Sequence, residues 1–353
     1  MAEAMPPFDP NAPAAPGAGL FGLPFSPDAA RLVVLPVPWE ATTSYGGGTS
    51  QGPRAVFEAS RQVDLYDLDV TKPYEAGIAI LEEDPQVVAW NEEGKAAAAR
   101  VIADPFATGT GIEADREVVN RLSAEVNRYV ERETERLFAS GKLPGILGGD
   151  HSVPFGAIRA AARRFPKLGI LHVDAHSDTR AAYEGFEHSH ASIMWNVCRS
   201  LPNLERLVQV GIRDICEAEV AFVESLGDRA RVFYDRDLTR ARHRGEPWER
   251  LVDHIVAALP GEVWVSFDID GLDPRFCPHT GTPVPGGLDF SEAVTLLRTI
   301  VSSGRSIVGF DLSEVAPNGE NAADEWDANV GARLLYKLCA FSLASQGLAK
   351  LRD

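Results

Sequence analysis

The chain alternates short apolar runs with longer amphipathic stretches. Runs rich in aliphatic and β-branched side chains predict strands at 31–37, 77–81, 145–147, 168–173, 208–212, 263–267 and 306–312. In the clearest amphipathic stretch, apolar residues recur every three or four positions and Gly141 supplies a stop, which predicts a helix over about 114–140. Further helices are predicted near 153–165, 216–226, 246–259, 290–303 and 325–347.

This order of elements predicts an α/β fold, a three-layer αβα sandwich around a mainly parallel sheet. Short strands that alternate with helices are typical of a parallel sheet covered on both faces. Ligands of such sheets bind at the carboxyl ends of the strands, so polar motifs just after strands are the first candidates for a functional site. We see no internal repeat and no linker, and therefore expect one domain over residues 29–353.

The first 28 residues have a different character. They are rich in Pro, Ala and Gly and lack apolar periodicity. Such a segment buries too little surface to offset the entropy of ordering it. We therefore predict that residues 1–28 form a flexible arm, or an arm laid over a neighbouring subunit.

Composition narrows the class of protein. At 353 residues and 45% hydrophobic content the chain can bury a sizeable core, and its formal charge of −17 argues against nucleic-acid or anionic-membrane partners and favours cationic ligands. The N-terminus lacks a secretory pattern, and no run of 18 uncharged apolar residues occurs. The four cysteines are too dispersed for a disulfide framework or thiolate zinc. We expect a cytoplasmic protein with no membrane segment.

Three polar clusters follow predicted strands, at 148–152, 174–178 and 266–270. They contain two histidines and four aspartates that could bind metal: His151, Asp174, His176, Asp178, Asp268 and Asp270. In an extended backbone, positions i, i+2 and i+4 point to one side, so the side chains within each cluster are expected to converge. The competing interpretation, that these are ordinary loop and capping residues, accounts for any one cluster but poorly for all three.

The charges of this set predict two metal ions. Four aspartates crowded into one cleft repel one another unless cations lie between them. Two divalent cations balance four carboxylates, and a bridging hydroxide would leave a net charge of −1. Oxygen-rich ligation with two imidazoles favours Mn²⁺, with Fe²⁺, Co²⁺, Ni²⁺ and Zn²⁺ left open.

These clusters also resemble those of a known family, the arginase/agmatinase ureohydrolase superfamily, and the resemblance is agmatinase-like. The three metal motifs occur in the family's order and spacing, and further similar blocks lie at 37–40, 44–48, 52–54, 211–214, 281–283, 286–287 and 309–315. The resemblance covers about residues 31–347 and implies an arginase-like fold. It also implies a homo-oligomer, a trimer or hexamer.

The resemblance implies a ligand set for each of two ions. One ion would be held by His151, Asp174, Asp178 and Asp268, and the other by Asp174, His176, Asp268 and Asp270. Asp174 and Asp268 would then bridge the two ions.

The resemblance also implies two catalytic residues, Glu314 and His190, and the chemistry of the reaction adds Asp270 as a third. Glu314 would face the cationic guanidinium, Asp270 would meet the developing tetrahedral centre, and His190 would carry a proton to the leaving amine. His188 is the competing choice for the proton carrier. His172, inside an apolar strand, is interpreted as an ordinary core histidine.

The expected reaction is hydrolysis of a C–N bond in a small cationic guanidino compound, giving urea and an amine. Agmatine is favoured. Arginine is disfavoured, because Cys216 stands where similar arginases carry another Asp that recognises the amino-acid end. Guanidino acids, free guanidine and formiminoglutamate stay open, since the 82–140 and 187–192 segments depart from the agmatinase pattern. A catalytically silent, metal-bound polyamine-binding protein is the alternative from another class.

Overall fold

A central parallel sheet organises the molecule in the computed structural model, which describes residues 8–104, 106 and 108–352. The strands are β1 (Leu32–Val37), β2 (Val70–Thr71), β3 (Ile78–Ile80), β4 (Leu143–Gly148), β5 (Leu168–Val173), β6 (Arg206–Val210), β7 (Ala230–Phe233), β8 (Glu262–Asp268), β9 (Ser306–Ser313) and β10 (Lys350–Leu351). Eight of them form one sheet in the order β3-β1-β4-β9-β8-β5-β6-β7, with every neighbouring pair parallel. The short strands β2 and β10 pair antiparallel beside it.

Helices cover both faces of this sheet. They are α1 (Gly52–Ser60), α2 (Pro85–Ala103), α3 (Thr110–Ala139), α4 (Phe155–Arg164), α5 (Ile193–Ser200), α6 (Glu217–Ser225), α7 (Asp235–His243), α8 (Trp248–Ala257), α9 (Phe290–Ser302) and α10 (Trp326–Ser345). Side chains alternate along each strand, so Val34 joins a core with α1, α8, α9 and α10, whereas its neighbour Leu35 joins a core with α3, α4 and α5. The predicted three-layer α/β sandwich is confirmed.

All seven strands predicted from the sequence are present, with ends that differ by up to two residues. The sequence pattern did not predict strands β2, β7 and β10 or helices α1, α2, α5 and α7. The strongly polar α7 buries only Leu238, which leaves little apolar periodicity to detect. Helix α2 carries Gly94 in its middle, where added side-chain atoms would collide with Ala41 and Trp39.

The prediction of a flexible N-terminal arm is wrong for residues 18–23. Leu20, Phe21 and Leu23 are buried in the core, and the backbone N–H of Phe21 donates to the hydroxyl of Ser60 at 3.0 Å. The ring of Phe21 also meets Tyr336 edge-on at 4.9 Å. Three large apolar side chains suffice to anchor a segment whose average composition is typical of disorder. Residues 1–7 lie outside the described part of the chain.

Within the described residues, no helix combines the length and the apolar character needed to span a bilayer.

Candidate metal centre

The three predicted metal-binding clusters meet at one edge of the sheet. Strands β4, β9, β8 and β5 are consecutive neighbours in its centre. Because they are parallel, the residues that follow them lie side by side: His151 after β4, Glu314 after β9, Asp268 at the end of β8, and Asp174 after β5. Hydrophobic cores pack against both faces of these strands, so the site rests on buried, regular structure.

His151 is oriented by a chain of buried hydrogen bonds. The indole N–H of Trp264 donates to Oδ2 of Asp311 at 2.6 Å, and the hydroxyl of Ser266 donates to Oδ1 of Asp311 at 2.9 Å. Since this hydroxyl proton is already engaged, Ser266 accepts from Nε2 of His151, 2.9 Å away. The proton of the neutral imidazole therefore lies on Nε2, and the lone pair lies on Nδ1.

That lone pair faces three carboxylates. Nδ1 of His151 lies 3.0 Å from Asp174 Oδ2, 3.2 Å from Asp268 Oδ2 and 3.3 Å from Asp178 Oδ2. Four acceptors converging in a buried site require a cation between them. Without a metal that cation is a proton: burial lowers the pKa of His151, but the carboxylates outweigh it and raise the pKa well above its usual value. The residues fit a divalent metal ion.

A second acceptor cluster adjoins the first. His176 Nδ1 lies 3.5 Å from Asp174 Oδ1 and 3.1 Å from Asp270 Oδ2. The latter oxygen is buried, and among the described residues no donor meets it with hydrogen-bond geometry. Asp174 presents one oxygen to each cluster, so its carboxylate spans them. All six predicted ligands thus lie together, although their assignment as ligands stays a prediction.

The side chains of these clusters do converge, but the prediction that an extended backbone brings them together is wrong. Asp178 adopts a left-handed conformation with φ of 54°, which turns its carboxylate toward His151 while His176 points to the other cluster. Asp268 and Asp270 are brought together by a 3₁₀ turn over Ile269–Gly271, with the backbone N–H of Asp270 donating to Asp268 Oδ1 at 2.8 Å. Tight turns at the strand ends, rather than continued strands, aim these ligands.

The pKa values of the buried aspartates reflect the electrostatic cost of placing several negative charges close together. Burial, together with the charges of Asp270 and Asp174, raises the pKa of Asp268 well above its usual value. Burial and the charge of Asp174 raise the pKa of Asp178 to about 6. Both acids therefore resist ionisation unless positive charge is supplied, as two divalent cations would do.

Glu314 lies beside His151 in a strained backbone conformation. Its φ is 64°, and its Oε1 accepts the backbone N–H of His151 at 2.8 Å. The side chain is buried, and burial together with the charge of Asp150 raises its pKa well above the usual value. A buried carboxylate poised in this way would gain from a cationic partner. Positive φ in a non-glycine residue is costly and is often found at functional sites.

The two candidate proton carriers have different surroundings. Burial, with a smaller contribution from the charges of His176 and His151, lowers the pKa of His190 to about 4. The imidazole of His190 is therefore neutral near pH 7. Its backbone N–H donates to Thr42 Oγ1 at 3.0 Å. His188 instead lies against the ring of Phe155, with 5.4 Å between ring centroids. His190 therefore lies close enough to the metal-binding clusters to feel their charges.

His172 is buried, as expected of a core residue, but it belongs to the site. Its Nε2 lies 2.8 Å from Asp174 Oδ2. The sequence offered a signal for this contact, since residues i and i+2 of a strand point to the same side and His172 precedes Asp174 by two.

Comparison with known proteins gives consistent matches. The family model described as "Arginase family" matches residues 30–340. The chain is 32% identical over 320 residues to N(1)-aminopropylagmatine ureohydrolase of Thermus thermophilus, covering 88% of this chain and 89% of that protein. It is 30% identical over 291 residues to agmatinase of Bacillus anthracis, covering 82% and 85%. Proclavaminate amidino hydrolase from Streptomyces clavuligerus has a similar fold, with a TM-score of 0.72 at 23% identity over 95% of this chain and 100% of that one.

Proposed function

Because the chain belongs to the arginase family, we propose that its two clusters hold two divalent cations and that it hydrolyses agmatine to urea and putrescine. It is an agmatinase-like guanidino hydrolase, acting on carbon–nitrogen bonds of linear amidines. The observation that supports the two-cation site most strongly is the carboxylate of Asp174. One of its oxygens faces Nδ1 of His151, and the other faces Nδ1 of His176.

The resonance-stabilised guanidinium carbon is a poor electrophile, so the site must supply a strong nucleophile. Two divalent ions held by the two clusters would act as Lewis acids and would lower the pKa of a coordinated water. Asp174, which faces both clusters, and Asp268, which lies beside His151, would help to hold these ions. Ser266 and Asp311 keep the Nδ1 lone pair of His151 aimed at the cluster.

Glu314 and His190 complete the proposed chemistry. The buried carboxylate of Glu314 accepts charge-assisted hydrogen bonds from one edge of the planar guanidinium, which orients the carbon toward the clusters. Asp270, whose Oδ2 has no hydrogen-bond donor among the described residues, would lie near the charge that develops at the tetrahedral carbon. The neutral imidazole of His190 takes up a proton and delivers it to the departing amine.

We propose Mn²⁺ as the metal. The donor set is four carboxylates and two imidazoles, with no thiolate among the ligands, and hard oxygen donors favour Mn²⁺ over a structural zinc. Activity restored by Mn²⁺ to chelator-treated protein, compared with Ni²⁺, Co²⁺, Fe²⁺ and Zn²⁺ at equal occupancy, tests this. Greater turnover with any of the others would replace the assignment.

We propose agmatine as the substrate, because its tail carries a positive charge and no carboxylate. The net charge of −17 favours encounter with such a dication. Arginine is disfavoured because Cys216, which caps α6, offers no carboxylate to the α-amino group. The longer cationic tail named for the Thermus relative makes aminopropylagmatine the second compound to test.

The decisive experiment is a substrate panel with the metal-loaded enzyme. Agmatine, aminopropylagmatine, arginine, guanidinobutyrate, free guanidine and formiminoglutamate are compared by kcat/KM, scoring urea, ammonia and formamide separately. We expect agmatine to rank first. A higher kcat/KM for a guanidino acid or for formiminoglutamate would refute the proposed tail. No turnover of any compound by protein with both metals bound would favour a silent polyamine-binding protein.

We also propose that the protein works in the cytoplasm as a homo-oligomer, a trimer or hexamer. The widely spaced cysteines support a reducing compartment, and the family resemblance supports the oligomer.

A further inference from the structure

The carboxylate of Asp174, which faces both clusters, is held by a buried polar network that the proposed mechanism does not use. Nε2 of His172 lies 2.8 Å from Asp174 Oδ2, and Nδ1 of His172 lies 2.9 Å from the amide nitrogen of Gln209 on β6. That amide nitrogen also donates to the carbonyl of Ser177 at 2.8 Å, while the Ser177 hydroxyl donates to Gln209 Oε1 at 3.1 Å. Both His172 and Gln209 are completely buried.

These contacts determine which nitrogen of His172 carries the proton. Two contacts with Ser177 fix the orientation of the Gln209 amide, because its nitrogen meets a carbonyl that can only accept. The second amide hydrogen then points at Nδ1 of His172, so Nδ1 accepts. The ring is therefore a neutral imidazole with its proton on Nε2, and it donates to Asp174.

We propose that His172 is a positioning residue for the two-metal centre and that Gln209 sets its tautomer. A neutral N–H donor on Asp174 Oδ2 restrains the carboxylate in its bridging orientation without adding positive charge that would compete with the metals. This inference rests on the proposed two-cation site.

The same geometry excludes His172 as a ligand, although its nitrogen is close enough to be considered one. Potential ligand atoms of His151, His172, Asp174 and Asp178 lie within 4.8 Å of one another. A ligand nitrogen must present a lone pair, and in His172 the lone pair on Nδ1 is directed at Gln209, away from the carboxylates. His151 is the reverse case, with its lone pair on the nitrogen that faces them.

The test is a Mn²⁺ titration of chelator-treated full-length protein. Binding is monitored by calorimetry and by the electron paramagnetic resonance signal of free Mn²⁺. His172→Leu removes the donor, and it should weaken Mn²⁺ binding by about 10–100-fold. His172→Gln is the matched control, because its amide nitrogen reaches about as far as Nε2 and can donate to Asp174. It should restore most of the affinity. Gln209→Leu keeps the ring but frees its tautomer, and it should give an intermediate loss.

Each outcome decides the proposal. Wild-type affinity in folded His172→Leu overturns it, as does equal loss in the Leu and Gln variants. A full equivalent lost from His172→Gln at saturating Mn²⁺ would make His172 a ligand, which also overturns it. If His172→Leu does not fold, as judged by circular dichroism, Gln209→Leu decides in its place, and wild-type affinity there refutes the role. No substrate enters the titration, so failure to hydrolyse any guanidine would refute the proposed function and leave this inference standing.

Discussion

Replacing Asp178 by Asn should stabilise the metal-free protein while weakening its metal site. Asp178 is only 5% exposed, and burial with the nearby charge of Asp174 raises its pKa from 3.8 to about 6. The asparagine side chain keeps the shape of the carboxyl group and removes the charge. The metal-free fold then no longer has to accommodate one of four crowded carboxylates.

The size and sign of the effect follow from the pKa shift. A rise from 3.8 to about 6 is about two units, and each unit corresponds to about 1.4 kcal/mol, so the ionised carboxylate costs the folded state up to about 3 kcal/mol. Below pH 3.8 the group is protonated in both the folded and the unfolded chain, and the cost is absent. It grows as the pH rises and is complete above pH 6. Stability of the metal-free wild type should fall across this window, and Asp178→Asn should remove that part of the fall.

The measurement is urea unfolding in excess chelator at pH 4 and pH 8. At pH 8 we expect Asp178→Asn to exceed the wild type by up to about 3 kcal/mol, and at pH 4 by little. Asp253→Asn, on the exposed surface of α8, is the matched control and should change neither value. With saturating Mn²⁺ the order should reverse, because the variant lacks one of the proposed ligands. A metal-free Asp178→Asn protein that is less stable than the wild type at pH 8 would refute the electrostatic reasoning.

Three further predictions concern the metals, the proton carrier and the assembly. Elemental analysis after metal loading and desalting should find about two metal ions per chain, and one ion or none in the wild type would contradict the two-metal site. Asp268→Ala, which removes a proposed bridging ligand, should lose more metal than Asp178→Ala. His190→Ala should keep its metal and lose about 10²–10⁴ in kcat, whereas His188→Ala should stay nearly normal, and the opposite ranking would make His188 the proton carrier. Light scattering at micromolar concentration should give a multiple of the 38.2 kDa chain mass, three- or sixfold, and a monomer would refute the oligomer.

The sequence predicted the sheet well because its strands are buried on both faces. Strand β5 is buried at every position, and its sequence is apolar apart from His172, which is a strong local signal for a strand. Strand β7 is only partly buried and four residues long, so its sequence does not stand out from a loop. The same reasoning failed for the N-terminal segment, because burial of Leu20 and Phe21 depends on a groove beside α1 and α10 that only the folded chain provides.

Candidate ligands could be found from residue type and position, but their local geometry could not. Acidic residues and histidines just after apolar runs identify the edge of a parallel sheet, and this argument reaches all six residues. Whether Asp178 continues a strand or turns into a left-handed conformation depends on packing against His151, which is distant in sequence. Periodicity contains no information about such turns.

The two histidines that meet Asp174 explain why residue type alone does not define the centre. His151 and His172 approach the same carboxylate oxygen, at 3.0 and 2.8 Å, and their rings lie 5.2 Å apart. Their roles differ because a hydroxyl oxygen of β8 accepts from one ring, whereas an amide nitrogen of β6 donates to the other. The first ring is left with a lone pair for a metal, and the second with a proton for the carboxylate. Partners on β8 and β6, the two strands that flank β5 in the sheet, thus decide which histidine can bind a cation and which can only orient a proposed ligand.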